Sequence, residues 1–263
     1  MFNLSISNIA WDKENDEQAY SYMKQLGYCG LEIAPTRIIP HEPYDKMREF
    51  IKWYECSIEK RGFHISSVQS IWYGRTERLF GPENERNYLF NYTKKVIEFA
   101  ELFGCKNIVF GCPRNRIIQN NDWDDIAIPF FKKLGEYAYE HNTVISIEAN
   151  PAAYNTNFLN YTYEAIEFVE RVESPSIKLN LDLGTILENG ESLDCLKDKG
   201  HLINHVHISE PGLELIKKRI IHQQLRELLR ALDYNNYVSI EMKNYSNLDS
   251  LNDVMEYVAR VFI

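Results

Sequence analysis

The chain has 263 residues, of which 44% are apolar and 25% are charged, and this length suits either one large α/β barrel or two ordinary domains. Its 38 acidic residues outnumber its 29 basic residues and give a formal charge of −9, which disfavours a groove that follows nucleic-acid phosphates. No segment approaches the roughly 18 apolar residues of a membrane span. We therefore expect neither nucleic acid nor a membrane as a partner.

The chain start and the cysteines indicate the compartment. Residues Met1 to Asp12 alternate apolar and polar side chains and then become acidic, unlike a secretory signal, which has basic residues followed by an uninterrupted apolar stretch. The five cysteines are odd in number and widely spaced, without a CxxC pair, which argues against a disulfide framework or a thiolate-bound zinc. We expect a cytoplasmic protein.

Eight short apolar or β-branched runs recur along the chain, with helical periodicity between them. The runs begin near Leu4, Leu31, Ile65, Ile108, Val144, Ile177, Ile203 and Val238. The clearest helices are predicted from about Asp16 to Leu26 before Gly27, along the stripe Tyr88, Phe90, Val96, Ile97, Phe99, Ala100 and Phe103 before Gly104, and from about Leu213 to Leu232 near Asp233. No linker interrupts this repeat, so we predict one (β/α)8 TIM-barrel domain over residues 1–263. The rival, a doubly wound open sheet, lacks a glycine-rich phosphate loop in this sequence.

Polar side chains alternate with apolar ones in each of the last four strands. In a barrel the apolar side faces the helices, so the polar side faces the axis, where unpaired charges are costly to bury. The side chains predicted to converge at the mouth are Glu148, Asp182, His207 and Glu241. Clustered carboxylates repel one another unless a cation lies among them, and mixed carboxylate and imidazole ligation suits one divalent ion such as Mn, Zn, Co or Mg. The alternative is four separate capping or salt-bridged residues; their matching parity on consecutive strands favours one metal site.

Short segments of the sequence resemble the sugar-phosphate isomerase/epimerase family, the xylose-isomerase-like barrels that include ketose epimerases and class II apurinic endonucleases. The resemblance covers essentially the whole chain and is carried by residues 30–33 (GLEI), 147–151 (IEANP), 181–184 (LDLG), 205–210 (HVHISE) and 238–242 (VSIEM). It implies that Glu148 and Glu241 are both metal ligands and the acid/base pair, and that Glu210 contacts substrate. One departure is Thr185, at a position where these families usually have a histidine.

Further substrate contacts are expected from segments near the ends of strands two, three and four. Residues 30–37 (GLEIAPTR), 67–74 (SVQSIWYG) and 109–116 (VFGCPRNR) resemble a branch of predicted sugar-phosphate isomerases. An aromatic side chain can pack against a sugar, and arginines can bind a phosphate or carboxylate. The residues predicted on the substrate side are Arg37, Gln69, Trp72, Arg75, Arg114 and Arg116, together with Asn150, Thr185, His222 and Lys243. His205, deeper in its strand than His207, is predicted to be a hydrogen-bonded barrel residue.

The resemblance implies a divalent-metal-dependent isomerase or epimerase that acts on a sugar or sugar phosphate through an enediolate. A metal-dependent dehydratase or lyase of the same barrel family is the main alternative, and a non-catalytic sugar-binding barrel is another. An apurinic endonuclease would need several metals held by many histidines. Of the seven histidines in this chain, only His207 is well placed. We expect a small-molecule carbohydrate substrate, and a homo-oligomer is possible.

Overall fold

The computed structural model describes residues 2–119 and 123–263, and its eight strands form a closed parallel barrel in sequence order, in which the last strand pairs with the first. The strands are β1 Asn3–Ser7, β2 Gly30–Ile33, β3 His64–Val68, β4 Ile108–Phe110, β5 Ile145–Glu148, β6 Ile177–Asp182, β7 Ile203–Ile208 and β8 Tyr237–Ile240. The predicted TIM barrel is confirmed.

Helices and short 3-10 turns connect the strands. The α-helices are α1 Asp16–Gln25, α2 Pro35–Ile38, α3 Met47–Ser57, α4 Glu83–Leu102, α5 Trp123–Glu140, α6 Thr162–Val172, α7 Leu183–Asn189, α8 Ile220–Ala231 and α9 Leu248–Phe262. Helix α4 ends just before Gly104, whose φ of +64° is the left-handed conformation that commonly follows a helix. Within residues 2–119 and 123–263, no helix has both the length and the apolar character that crossing a membrane requires.

The helix predicted from Leu213 begins seven residues later, at Ile220. Pro211, Gly212 and Leu213 form a 3-10 turn instead, in which Gly212 and Leu213 have φ values of +68° and +54°. These conformations cannot continue an α-helix. The prediction was therefore wrong for residues 213–219, which form a loop after β7.

The apolar core lies between the barrel and its helices, because one face of every strand is apolar. On β5 and β6, for example, Ile145, Ile147, Leu179 and Leu181 have no exposed surface. The barrel interior is polar: the Ser5 and Ser66 hydroxyls, from β1 and β3, are 2.5 Å apart. Since β1 and β3 are not neighbours, this contact crosses the interior, which typically holds branched apolar side chains in such barrels.

Candidate metal and active site

Four side chains converge at the C-terminal mouth of the barrel. Glu148 and Asp182 end β5 and β6, His207 lies near the end of β7, and Glu241 directly follows β8. One ligand atom from each lies within 4.8 Å of the others. His207 Nδ1 is 3.1 Å from Glu148 Oε1, 3.2 Å from Glu241 Oε2 and 3.8 Å from Asp182 Oδ2. The predicted convergence is observed, and the role of these residues as metal ligands stays a prediction.

Burial and neighbouring charges shift the pKa values of this cluster. Burial raises the pKa of Glu241 to about 7, although the charge of His207 opposes the rise. Burial and the charge of Glu148 raise the pKa of Asp182. Burial alone would lower the pKa of His207, but Glu32 and Glu241 outweigh it and hold that pKa well above its usual value. Without an ion, the imidazolium of His207 supplies positive charge among the acids. Once that ring loses a proton, three carboxylates and one imidazole form a donor set that fits a divalent ion.

Glu148 is held in place by its neighbours. The Asn150 Nδ2 group donates to Glu148 Oε2 at 2.9 Å, and the Asn180 Nδ2 group donates to Glu148 Oε1 at 2.7 Å. A Cβ atom added to Gly111, directly after β4, would lie 2.6 Å from Glu148 Oε2, which is closer than van der Waals contact allows. Glycine at position 111 therefore makes room for this carboxylate.

Glu32 on β2 is a site residue to which the sequence analysis assigned no role. It has no exposed surface, and its Oε2 atom is 2.9 Å from His207 Nε2 and 3.1 Å from His205 Nε2. Burial would raise the pKa of Glu32, but the two imidazoles outweigh it and lower that pKa. The strand pattern could have indicated an inward-facing Glu32, because this residue alternates with Leu31 and Ile33 in the way that Glu148 alternates with its own neighbours.

His205 is a buried barrel residue, as expected, with 1% of its surface exposed. Its Nε2 atom contacts Glu32 without hydrogen-bond geometry, and its Nδ1 atom has no partner within the described part of the chain. Burial lowers the pKa of His205 and so favours the neutral imidazole. The expected hydrogen bond is not formed.

A cavity of about 300 Å³ opens at the cluster, a size at the lower end of those that bind small molecules. Of the predicted catalytic and substrate-binding residues, Glu148, Glu241, Gln69 and Asn150 line it. The other lining residues are Ser70, Val109, Gly111, Cys112, Pro113, Tyr154, Gly212 and Leu213. The loop after β7, which was predicted as helix, therefore contributes to the wall of the cavity.

Trp72 and Arg116, predicted to contact substrate, are buried away from the cavity. The Trp72 indole N–H donates to Thr93 at 2.9 Å, and its ring packs edge-on against Phe110 at 5.0 Å. Arg116 Nη1 donates to the backbone carbonyl of Glu148 at 2.8 Å, and burial lowers the pKa of Arg116 to about 10. Both side chains therefore serve packing and backbone hydrogen bonding, which corrects their placement on the substrate side.

Three other predicted contacts are buried without lining the cavity. The Thr185 hydroxyl donates to the carbonyl of Ala149 at 2.9 Å, so it bonds within the fold. Glu210 accepts from Arg219 at 2.6 and 2.7 Å. His222 Nδ1 lies 2.8 Å from the Tyr257 hydroxyl, and burial lowers the pKa of His222 to about 4. In each case the polar group is satisfied by, or enclosed in, the protein itself.

The remaining predicted basic residues lie at the surface or in ion pairs. Arg37 pairs with Asp16 at 2.7 Å, Arg75 with Glu42 at 2.9 Å, and Lys243 with Glu214 at 2.6 Å. Arg114 is exposed and follows Pro113 in the cavity wall. Of the arginines predicted to bind an anionic group, only Arg114 is thus exposed near the cavity within residues 2–119 and 123–263.

The closed parallel barrel and the acidic cluster at its C-terminal mouth define a TIM barrel with a candidate site in the position where such barrels carry their active sites. The chain belongs to the xylose isomerase-like TIM barrel family, whose model matches residues 21–261.

The chain is also similar to individual proteins of known sequence or structure. It is 24% identical to the uncharacterised protein YfiH of Bacillus subtilis, over 75% of this chain and 69% of that protein. Its structure is similar to the 3-keto-D-glucoside 4-epimerase YcjR of E. coli, with a TM-score of 0.80, 19% identity and coverage of 99% and 100% of the two chains. It is similar as well to the D-psicose 3-epimerase of Clostridium cellulolyticum, with a TM-score of 0.78, 14% identity and 99% coverage of both chains. At sequence identities this low, the two structural similarities establish the shared fold and no more.

Proposed function

We propose that the protein is a divalent-metal-dependent isomerase or epimerase of a small sugar. The observation that carries this proposal is that Glu148 and Glu241 both line the cavity while both lie against His207 Nδ1 in one ligand cluster. Two structurally similar proteins, a 3-keto-D-glucoside 4-epimerase and a D-psicose 3-epimerase, are epimerases. We propose Glu148, Asp182, His207 and Glu241 as the metal ligands.

The proposed chemistry is proton transfer at a carbon next to a carbonyl group. A divalent ion in the cluster supplies a Lewis acid that stabilises negative charge on the substrate oxygen. Glu148 and Glu241 then act as the acid/base pair: one carboxylate removes the proton, which leaves an enediolate, and the other returns a proton. Isomerisation and epimerisation differ in where that proton returns.

The cavity walls favour an uncharged sugar at the reacting centre. The side-chain amides of Gln69 and Asn150 line the cavity, and the buried Asn150 Oδ1 atom has no hydrogen-bond partner in the described part of the chain, so it can accept from a sugar hydroxyl. No lysine or arginine belongs to the cavity wall formed by the described residues. A phosphate group on the substrate would therefore have to lie at the rim, where Arg114 is exposed.

The test is uptake of solvent deuterium at carbon by a panel of neutral and phosphorylated ketoses and keto-glycosides, followed by NMR with Mn, Co, Mg or Zn added. We expect exchange and conversion with the wild-type protein, and loss of both in chelator. Glu148→Gln and Glu241→Gln should each lower turnover by at least about two orders of magnitude. Glu188→Gln, on the exposed surface of α7, is the matched control and should behave as the wild type.

Three results would contradict the proposal. Near-normal conversion by either site variant with metal bound would make the two glutamates ligands only. Net loss of water from the sugar would indicate a dehydratase. Sugar binding without any deuterium exchange across the panel would indicate a non-catalytic binding protein.

A further inference from the structure

Glu32 connects the proposed metal site to the opposite wall of the barrel. It lies on β2, whereas His207 lies on β7, 175 positions further along the chain. These strands are not neighbours, so the 2.9 Å contact between Glu32 Oε2 and His207 Nε2 spans the barrel interior. Both side chains are fully buried, and burying a carboxylate is costly unless it is paired. The buried Glu32 carboxylate therefore depends on its contact with His207.

The two ring nitrogens of His207 face different partners. Nδ1 lies within 3.2 Å of Glu148, Glu241 and the Asn180 side-chain amide, whereas Nε2 lies 2.9 Å from Glu32 Oε2. A neutral imidazole carries one proton, and a carboxylate can only accept a hydrogen bond. A divalent ion among Glu148, Asp182 and Glu241 would take the lone pair of Nδ1, which leaves Glu32 to accept the remaining proton, on Nε2. That tautomer directs the Nδ1 lone pair at the cluster. Histidines that bind metals commonly donate their other N–H group to a carboxylate or carbonyl in this way.

Glu32 is itself fixed by hydrogen bonding. The Gln69 Nε2 group donates to Glu32 Oε1 at 3.2 Å and also contacts the Ser7 hydroxyl. One carboxylate oxygen is thus occupied by Gln69, which turns the other oxygen toward His207.

We propose that Glu32 is a positioning residue, which acts through His207 by selecting the tautomer and ring orientation that present Nδ1 to the metal. This inference rests on the metal site proposed above but not on the identity of the sugar. Glu32, His205 and His207 are also close enough to hold an ion of their own. The hydrogen-bonded geometry of Glu32 and His207 favours positioning, and the experiment distinguishes the two.

The test uses the full chain, labelled with ¹⁵N-histidine and loaded with ¹¹³Cd²⁺. We expect one ion per chain, a ¹¹³Cd–¹⁵N coupling to Nδ1 of His207, and a slowly exchanging proton on Nε2 of the same ring. These signals report nitrogen by nitrogen which atom binds metal and which carries the proton, and a purely structural role of Glu32 would not require either.

The decisive variant is Glu32→Gln, which keeps the side-chain volume. Because Gln69 donates to the Oε1 position, the new amide would keep its oxygen there and turn its NH2 group toward His207 Nε2. An N–H donor at Nε2 favours the tautomer with the proton on Nδ1, which blocks metal binding. We expect Cd²⁺ and Mn²⁺ affinity to fall by about 10–100-fold, together with a change in the His207 ring signals. Glu210→Gln is the matched control, since Glu210 is also a buried carboxylate, 1% exposed, but forms its ion pair with Arg219 and not with His207; it should leave the His207 signals unchanged.

Several results would overturn the inference. Unchanged affinity and ring signals in Glu32→Gln would remove the role of Glu32 while leaving the proposed enzymatic function intact. Two Cd²⁺ ions per chain, or coupling to Nε2, would make Glu32 part of a second ion site. If Glu32→Gln fails to fold, the wild-type spectrum decides, because a His207 ring without a proton on Nε2 contradicts positioning. A wild-type protein that binds no ion at His207 would refute this inference and the proposed function together.

Discussion

Glu241 should make the metal-free protein less stable at high pH, and Glu241→Gln should relieve that effect. Burial raises the pKa of this carboxyl from 4.5 to about 7, so the folded chain binds its proton more tightly than the unfolded chain does. The free energy of unfolding therefore falls as the pH rises from about 4.5 to about 7. The full difference corresponds to about 3 kcal/mol, since each pH unit is worth about 1.4 kcal/mol.

Glutamine keeps the volume of the side chain and never ionises. The free energy of unfolding of Glu241→Gln, relative to that of the wild type, should therefore rise by about 2 kcal/mol between roughly pH 5.5 and pH 8. The wild type has already lost about 1 kcal/mol of its stability at the lower pH. Comparing two pH values cancels any packing difference between the two proteins. For a chain of this length the gain corresponds to about 4–8 °C in Tm.

The assay is thermal unfolding in chelator at both pH values, followed by the same measurement with Mn²⁺. With the ion at about 100 times its Kd, the wild type should gain about 2.7 kcal/mol, whereas Glu241→Gln should gain less because it has lost a charged ligand. The reasoning would be refuted if, in chelator, the stability of Glu241→Gln relative to the wild type stayed the same at both pH values or fell as the pH rose.

Three further predictions concern Gly111, Arg116 and Arg114. Gly111→Ala should lower kcat at least about 10-fold with little change in Tm, because the added Cβ would displace the Glu148 carboxylate 2.6 Å away; unchanged kcat would contradict this. Arg116→Met should lower the free energy of unfolding in urea by about 1.5–3 kcal/mol, because the buried Glu148 carbonyl loses a charged donor. A selective rise in KM for phosphorylated sugars would show instead that Arg116 binds substrate. Arg114→Met should lower kcat/KM about 10- to 100-fold for a phosphorylated sugar, a loss of about 1.5–3 kcal/mol, and leave neutral sugars unaffected; equal effects on both would exclude a phosphate contact.

The sequence by itself determined the barrel and the four side chains that converge at its mouth. Alternation in a strand is a local property, so residues 144–150 already show that Glu148 lies opposite Ile145 and Ile147. Once eight such strands close in order, side chains at their C-terminal ends must converge. The sequence did not predict the turn at Leu213, which was assigned to a helix and is part of a loop.

Only the tertiary structure decided what each remaining polar side chain contacts. Glu32 and His207 meet across 175 positions, and Arg116 reaches the carbonyls of Glu148 and Leu159 instead of the cavity. Long side chains such as arginine can turn inward or outward from the same backbone position, and the choice depends on which distant carbonyls and rings lie within reach. Trp72 was misplaced for the same reason: its residue type suits a sugar or a core equally well, and the position of Phe110 and Thr93 settles which one it packs against.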